Sequence, residues 1–292
     1  GASMYHYFFA PNPVPSLAGR MLQMINRVKT VQTGCSRPAS FEGLGRLLCS
    51  DMVVVLSRET RDRIIEAGVD GNRVRLIPPC VEPIAKPSAD KRRRVRREVG
   101  LPEEGSVVLF PGDYEFSSAA RTVARAVWHL KKTMGDFTVV LACRLKTEAA
   151  KAIKRSIYSE LEQQGCIDRV RFLESVPDMP ALLGSVDVVT LPAESLYAKM
   201  DVPLVLLEAI SQEVPLVLAD VPPLNELLEV GAGLGVPPED PEALAAAIAR
   251  LLGSPGLGSA LGKKGRRAVD DVFSATTMTE SMESVYDEVL TR

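Results

Sequence analysis

Apolar residues in this chain follow two alternating rhythms. Short, nearly unbroken runs of Val, Leu and Ile, such as the stretch at 52–56, read as strands buried on both faces. Longer stretches, in which apolar positions return every three or four residues, read as helices with one buried face. In the first part of the chain the pattern predicts strands at 5–10, 29–32, 51–56 and 73–77, with helices at 15–26, 40–48 and 57–68 between them. From Ser106 the same grammar resumes, with strands at 107–111, 137–143, 170–173, 186–191, 216–219 and 233–236. Helices at 117–134, 147–164, 178–184, 203–212, 223–229 and 240–252 join or follow those strands, and two more at 258–269 and 276–290 close the chain. Strands alternating with helices at this spacing predict an α/β protein built on parallel sheets covered on both sides.

Pro78, Pro79, Pro83 and Pro87 interrupt the pattern between its two halves and mark a linker. The expected organisation is therefore a partial Rossmann-like domain at 4–85, a linker and basic helix at 86–104, a complete nucleotide-binding domain at 105–273 and a final helix at 274–292. In a doubly wound sheet of order 3-2-1-4-5-6, ligands bind where the loops after the first and fourth strands meet. Those loops lie at 112–118 and 193–201.

Composition adds exclusions. The charge is nearly balanced, with 35 Lys and Arg against 37 Asp and Glu, so no global field for nucleic acid or acidic lipid is implied. A basic run at 91–97 has two readings, an anion or lipid patch giving weak peripheral membrane contact, and the solvated face of a short helix; the acid-rich remainder favours the second. The five cysteines lack a C-x-x-C spacing and are odd in number, which fits reduced thiols in a cytoplasmic protein. No apolar run reaches the roughly 18 residues of a membrane-spanning helix, and a soluble chain is expected. Gly-Ala-Ser before Met4 has the look of a cloning remnant.

The most informative stretch runs from Leu196 to Asp220. It reads as a loop, a short helix, a tight turn and a buried strand. With Asp201 at the helix start and Pro203 in its first turn, the free amides near 202 to 204, those of Val202 and Leu204, form a potential anion site to which Pro203 contributes geometry rather than a donor. Glu208 lies one turn beyond Leu204, about 6 Å along the axis, and is the one charge between Val202 and Ile210. A carboxylate in so apolar a segment is costly unless donors meet it. A ribose diol would supply two.

These residues resemble the nucleotide-sugar site of family 4 (group 1) glycosyltransferases of the GT-B fold, in which two glutamates eight positions apart bracket this helix. Glu208 matches the second, which holds the ribose. Met200 stands where the first would touch the donor sugar, and Lys199 and Asp201 flank it as the expected catalytic residues. The resemblance further implies a diphosphate near Gly112, with Asp113 and Ser117 or Ser118 where the family has cations, and Arg144 or Lys146 either restoring positive charge or simply opening a surface helix. Backbone groups near Val176 would meet the base. Pro222 and Pro223 replace two glycines of a family turn, and Gln32 or Cys35 lies where a histidine is common.

The implied activity is transfer of a sugar from a nucleotide-diphosphate sugar to an unidentified polysaccharide, lipid or small-molecule acceptor, with retention, no bound metal and no cofactor beyond the donor. The alternative is a non-catalytic nucleotide-sugar-binding or scaffold protein that kept the fold. The family's glycine-rich first half of the N-terminal domain has no counterpart here, so a truncated domain and self-association through the N-terminal segment are also expected; nucleic acid is not an expected partner.

Overall fold

The computed structural model describes residues 2–291; Gly1 and Arg292, the last residue of the expected closing helix, lie outside them. The chain forms two units. One comprises Gly1–Val81, Leu196–Leu204 and Asp271–Arg292, the other Glu82–Ser195 and Val205–Asp270.

The first unit is built on four strands, β1 (Met4–Phe8), β2 (Lys29–Thr33), β3 (Met52–Val55) and β4 (Val74–Leu76), paired in that order and all parallel. Side chains alternate across a strand, and β3 shows the consequence. Met52 and Val54 pack with Val31 and Ile77 against Met282, Val285 and Val289 of the closing helix, Ala275–Thr291. Val53 and Val55 face the other way, onto Phe41, Leu44, Leu48 and Ile64. Ile64 belongs to α2 (Arg58–Glu66), which Ser57 caps by accepting the Thr60 N–H. Polar ties fasten the closing helix as well: His6 bonds Tyr286 through Nδ1 and Thr33 through Nε2, both at 2.8 Å, and Arg75 bonds Glu288.

The expected helix at 40–48 is reduced to one 3-10 turn, Leu44–Arg46. Gly43 takes a left-handed φ of 68°, and glycine costs a helix interior about 1 kcal/mol relative to alanine. Phe41, Leu44 and Leu48 nevertheless reach the core from this irregular segment.

Helix α1 (Pro13–Asn26) is turned inside out relative to an ordinary surface helix. Ser16 and Gly19 are its buried residues, and Gln23 reaches Thr30 and Asp51. Its apolar positions face outward, Val14, Leu17, Met21, Leu22, Met24 and Ile25 being 46–79% exposed.

The second unit holds six strands, β5 (Ser106–Gly112), β6 (Phe137–Cys143), β7 (Val170–Leu173), β8 (Val188–Leu191), β9 (Leu216–Ala219) and β10 (Gly233–Val236). They are parallel and lie in the order β10-β9-β8-β5-β6-β7, the doubly wound order expected. Every residue of β6, β8 and β9 is buried, as strands covered by helices on both faces must be. Those helices include α4 (Ala119–Thr133), α5 (Glu148–Gln163), α6 (Met179–Ser185), α7 (Leu204–Ser211) and α9 (Pro241–Leu252). Thr147, Asp178 and Asp240 cap α5, α6 and α9.

The basic run lies on α3 (Ala89–Glu98) and is integral to this unit rather than a linker. Arg96 is 4% exposed and donates to the carbonyls of Ser185 and Gly105 and to Asp187, which also pairs with Arg92. Arg93, Arg94 and Arg97 pair with Asp90, Glu98 and Glu103. With its arginines matched by acids of the same unit, the run is a helix fastening. No single helix among the described residues is long and apolar enough to cross a membrane.

These faces of the first unit predict opposite responses to substitution. Met52→Ala, at a site with no exposure, should cost about 2–5 kcal/mol, whereas Ile25→Ser, at a site 73% exposed, should change stability by about 0.5 kcal/mol or less. Urea unfolding at high dilution, where self-association does not contribute, measures both. A comparable loss for Ile25→Ser would contradict the outward face of α1.

Candidate functional site

A parallel sheet brings the C-terminal ends of all its strands to one edge. In the second unit β5 and β8 are neighbours at the centre, and their outgoing loops start side by side where the winding reverses. The sequence-expected nucleotide residues of this unit, Gly112, Arg144, Val176 and Glu208, all lie on or after the C-terminal ends of its strands.

The loop after β5 is tied down along its length. A Cβ at Gly112 would collide with the buried ring of Phe110, so packing alone requires glycine there. Asp113 accepts from the backbone N–H groups of Glu115 and Phe116 at 3.0 and 2.9 Å, closing a turn with its side chain. Tyr114 is 3% exposed; burial, and then the neighbouring Cys143 thiol, push its hydroxyl far above the usual tyrosine range. Glu115 accepts from Thr147 Oγ1 at 2.6 Å.

Glu194, from the loop after β8, closes the reversal. Its carboxylate accepts from Ser118 N–H at 2.8 and 3.1 Å and from Ser118 Oγ at 2.8 Å. Ser118 immediately precedes α4, where a helix favours negative charge. A protein carboxylate thus sits at that helix start. Sequence reading missed Glu194, because a lone Glu in a loop carries no signature.

Arg144 follows β6, is exposed, and has no hydrogen-bond or ion-pair partner among the described residues. Val176, in the loop between β7 and α6, likewise has no backbone hydrogen bond to another described residue. Glu208 lies in the middle of α7, half-buried, between Leu206, Leu207, Ala209 and Ile210, all without exposure. Among the described residues nothing donates to its carboxylate, and burial pushes its pKa above the usual carboxylate range.

Lys199, Asp201, Val202, Pro203 and Leu204 fall in the segment Leu196–Leu204, which belongs to the first unit. Asp201 is 5% exposed. Its Oδ2 accepts from Ser57 Oγ at 2.6 Å and its Oδ1 from Arg37 at 3.4 Å. Both oxygens are therefore engaged by protein groups. Val202 is buried as well, and Lys199 is partly exposed.

With this geometry in view, the class is a doubly wound α/β fold of the GT-B type. The sequence profile described as "Glycosyl transferases group 1" matches residues 105–254, and the chain belongs to that family. A D-inositol 3-phosphate glycosyltransferase of Salinispora tropica is 29% identical over 251 residues, which are 82% of this chain and 51% of that protein. The chain thus spans about half the length of the curated relatives it matches. Among solved structures, a glycosyltransferase from Rickettsia africae superposes with a TM-score of 0.84 at 16% identity, over 99% of this chain and 77% of the other. Anabaena HepE in complex with UDP-glucose gives 0.83 at 17%, over 98% and 79%. At these identities the likeness is one of fold.

The electrostatics of Glu208 generate a pH test. Its folded pKa is raised, so its proton is held more tightly in the folded than in the unfolded chain. That contribution is fully present below the unfolded value of about 4.3 and is lost as pH rises through the higher folded value. Glu208→Gln, uncharged throughout, should raise Tm near pH 8 and give no gain near pH 4. Calorimetry at both pH values checks this; a lower Tm for the variant at pH 8 would reveal a protein donor on the carboxylate.

Proposed function

We propose that this chain binds a uridine-diphosphate sugar at the C-terminal edge of its six-stranded sheet and serves in transfer of the sugar to an acceptor hydroxyl. The observation that carries the reading is Glu208, a half-buried carboxylate on α7 without a donor among the described residues. A ribose diol presents two hydroxyl donors to such a group. Val176 offers a backbone N–H and C=O without a partner among the described residues for a base edge, and Gly112 opens the loop beside the diphosphate. Arg144 supplies positive charge for the phosphates on this unit; a phosphate contact by Lys199 is the part of this reading that its own substitution tests. The choice of uridine is supported by the UDP-glucose in the HepE complex.

In the reaction, the bond from the anomeric carbon to the diphosphate oxygen breaks and a bond to the acceptor oxygen forms. The acceptor proton passes to the departing diphosphate. Charge accumulates on that diphosphate, so cations and helix amides are the groups that lower the barrier. Retention of configuration is part of this reading, as is a role for Lys199 at the leaving group. Asp201, buried with both oxygens engaged, is assigned a positioning role rather than contact with the sugar. The relatives' name suggests a phosphorylated cyclitol as the acceptor to try first.

A second reading, nucleotide-sugar binding without turnover, is favoured by Met200 at the position of the family's donor-sugar glutamate and by the Glu194 carboxylate at the start of α4. It predicts UDP binding with neither hydrolysis nor transfer of UDP-glucose. Self-association through the N-terminal segment belongs to the same account, supported by the outward apolar face of α1. Light scattering at tens of micromolar should show a species larger than the monomer, and Met21→Glu together with Ile25→Glu should return it to monomer; a monomeric wild type would exclude it.

Glu208→Ala tests the donor site. Losing two hydrogen bonds to a charged acceptor should weaken UDP by about 2–4 kcal/mol, and unchanged calorimetric affinity would sink the assignment. Lys199→Met should weaken UDP much more than uridine, whereas equal losses would remove Lys199 from the phosphates.

A further inference from the structure

The segment Leu196–Leu204 is held far more firmly than a surface loop requires. Its backbone is stitched to one residue, with Arg37 N–H donating to the Lys199 carbonyl at 2.8 Å and Ala198 N–H donating to the Arg37 carbonyl at 3.2 Å. Ala198 takes a φ of 59°, a left-handed conformation that persists for a residue with a Cβ where surrounding bonds impose it. Leu196 and Val202 are buried, 4% and 3% exposed.

The side-chain ties converge on Asp201. Arg37 is shared between Asp201 at 3.4 Å, Glu59 at 3.2 Å and Thr60 Oγ1 at 3.3 Å, and its guanidinium lies 5.3 Å from the centre of the Phe41 ring. A planar fork with several donors can serve three acceptors at once, which a lysine ammonium on a flexible stem does poorly. Ser57, with no exposure, donates to Asp201 at 2.6 Å while accepting the Thr60 N–H at 3.1 Å. Asp201 is thereby coupled to the start of α2, where negative charge is favoured. Removing Arg37 would leave a buried carboxylate without its counter-charge, the condition under which such a group leaves its site.

We propose that Arg37 and Ser57 are positioning residues for donor binding. They hold Asp201 and so set the course of Leu196–Leu204, whose last residue is the first of α7, the helix that carries Glu208 one turn later. The inference rests on the donor reading of Glu208. Neither residue touches the donor; each acts through Asp201 and the segment it anchors. Position 201 is thus a lock on the segment that delivers the ribose-binding helix.

Two readouts on the full chain test this. Trypsin cleavage after Lys199 reports the freedom of the segment, and calorimetry with UDP reports donor binding. Arg37→Leu should speed that cleavage at least tenfold and weaken UDP about tenfold; Asp201→Asn, which keeps an acceptor for Ser57 and is the milder change should Arg37→Leu fail to fold, should do both by about threefold. A purely structural role would lower Tm and leave the UDP affinity of the folded variants unchanged, and that result, with wild-type binding intact, overturns this inference while leaving the Glu208 site standing. Weaker UDP binding with unchanged cleavage also overturns it, since the route through the segment would be wrong. Absence of UDP binding by the wild type overturns the donor reading and this inference with it.

Discussion

Parallel pairing of β5 with β8 at the centre of the six-stranded sheet is the constraint on which the rest of the second unit depends. Strands in parallel register cannot be joined by a hairpin, so each connection must cross over through a helix. One half of the unit winds outward through β6 and β7, the other through β8, β9 and β10. The loops leaving β5 and β8 therefore begin together and then part, and helices α4 and α7 follow them. In open sheets wound this way ligands bind in the crevice between such loops, a consequence of topology before any side chain is chosen.

Side chains then decide what that site accepts. Its loop after β5 is acidic, with Asp113 and Glu115 spent on the turn and on Thr147, and Glu194 lies on the amide at the start of α4. A diphosphate there would meet these carboxylates, against which this unit sets the exposed Arg144. Glu208 differs from the other acids in having no donor among the described residues. Its apolar neighbours hold it in a state that a ligand's hydroxyl groups would relieve.

Much of this was legible from the apolar rhythm, because buried parallel strands leave long runs of Val and Leu. The strands at 137–143, 170–173, 216–219 and 233–236 have the observed bounds, and the sheet order followed from the alternation of elements. Glu208 was legible for the same reason, as a charge within an apolar helix. What was not legible depends on partners distant in sequence. Arg37 and Asp201 are 164 positions apart, and nothing in either local pattern announces their pairing. Likewise the basic run of α3 could not disclose Asp187, which neutralises its buried Arg96. Periodicity also overstated the helix at 40–48, where glycines took the backbone out of helical geometry while Phe41, Leu44 and Leu48 kept their core positions.

The central claim, a nucleoside-diphosphate site at the C-terminal edge of the six-stranded sheet, is tested most directly by amide hydrogen exchange of the wild-type chain with and without UDP. The account predicts UDP-dependent protection in peptides covering 112–118, 174–178 and 204–212, with the outer helix α5 unaffected. Protection confined to residues 4–60, or none at saturating UDP, would contradict it.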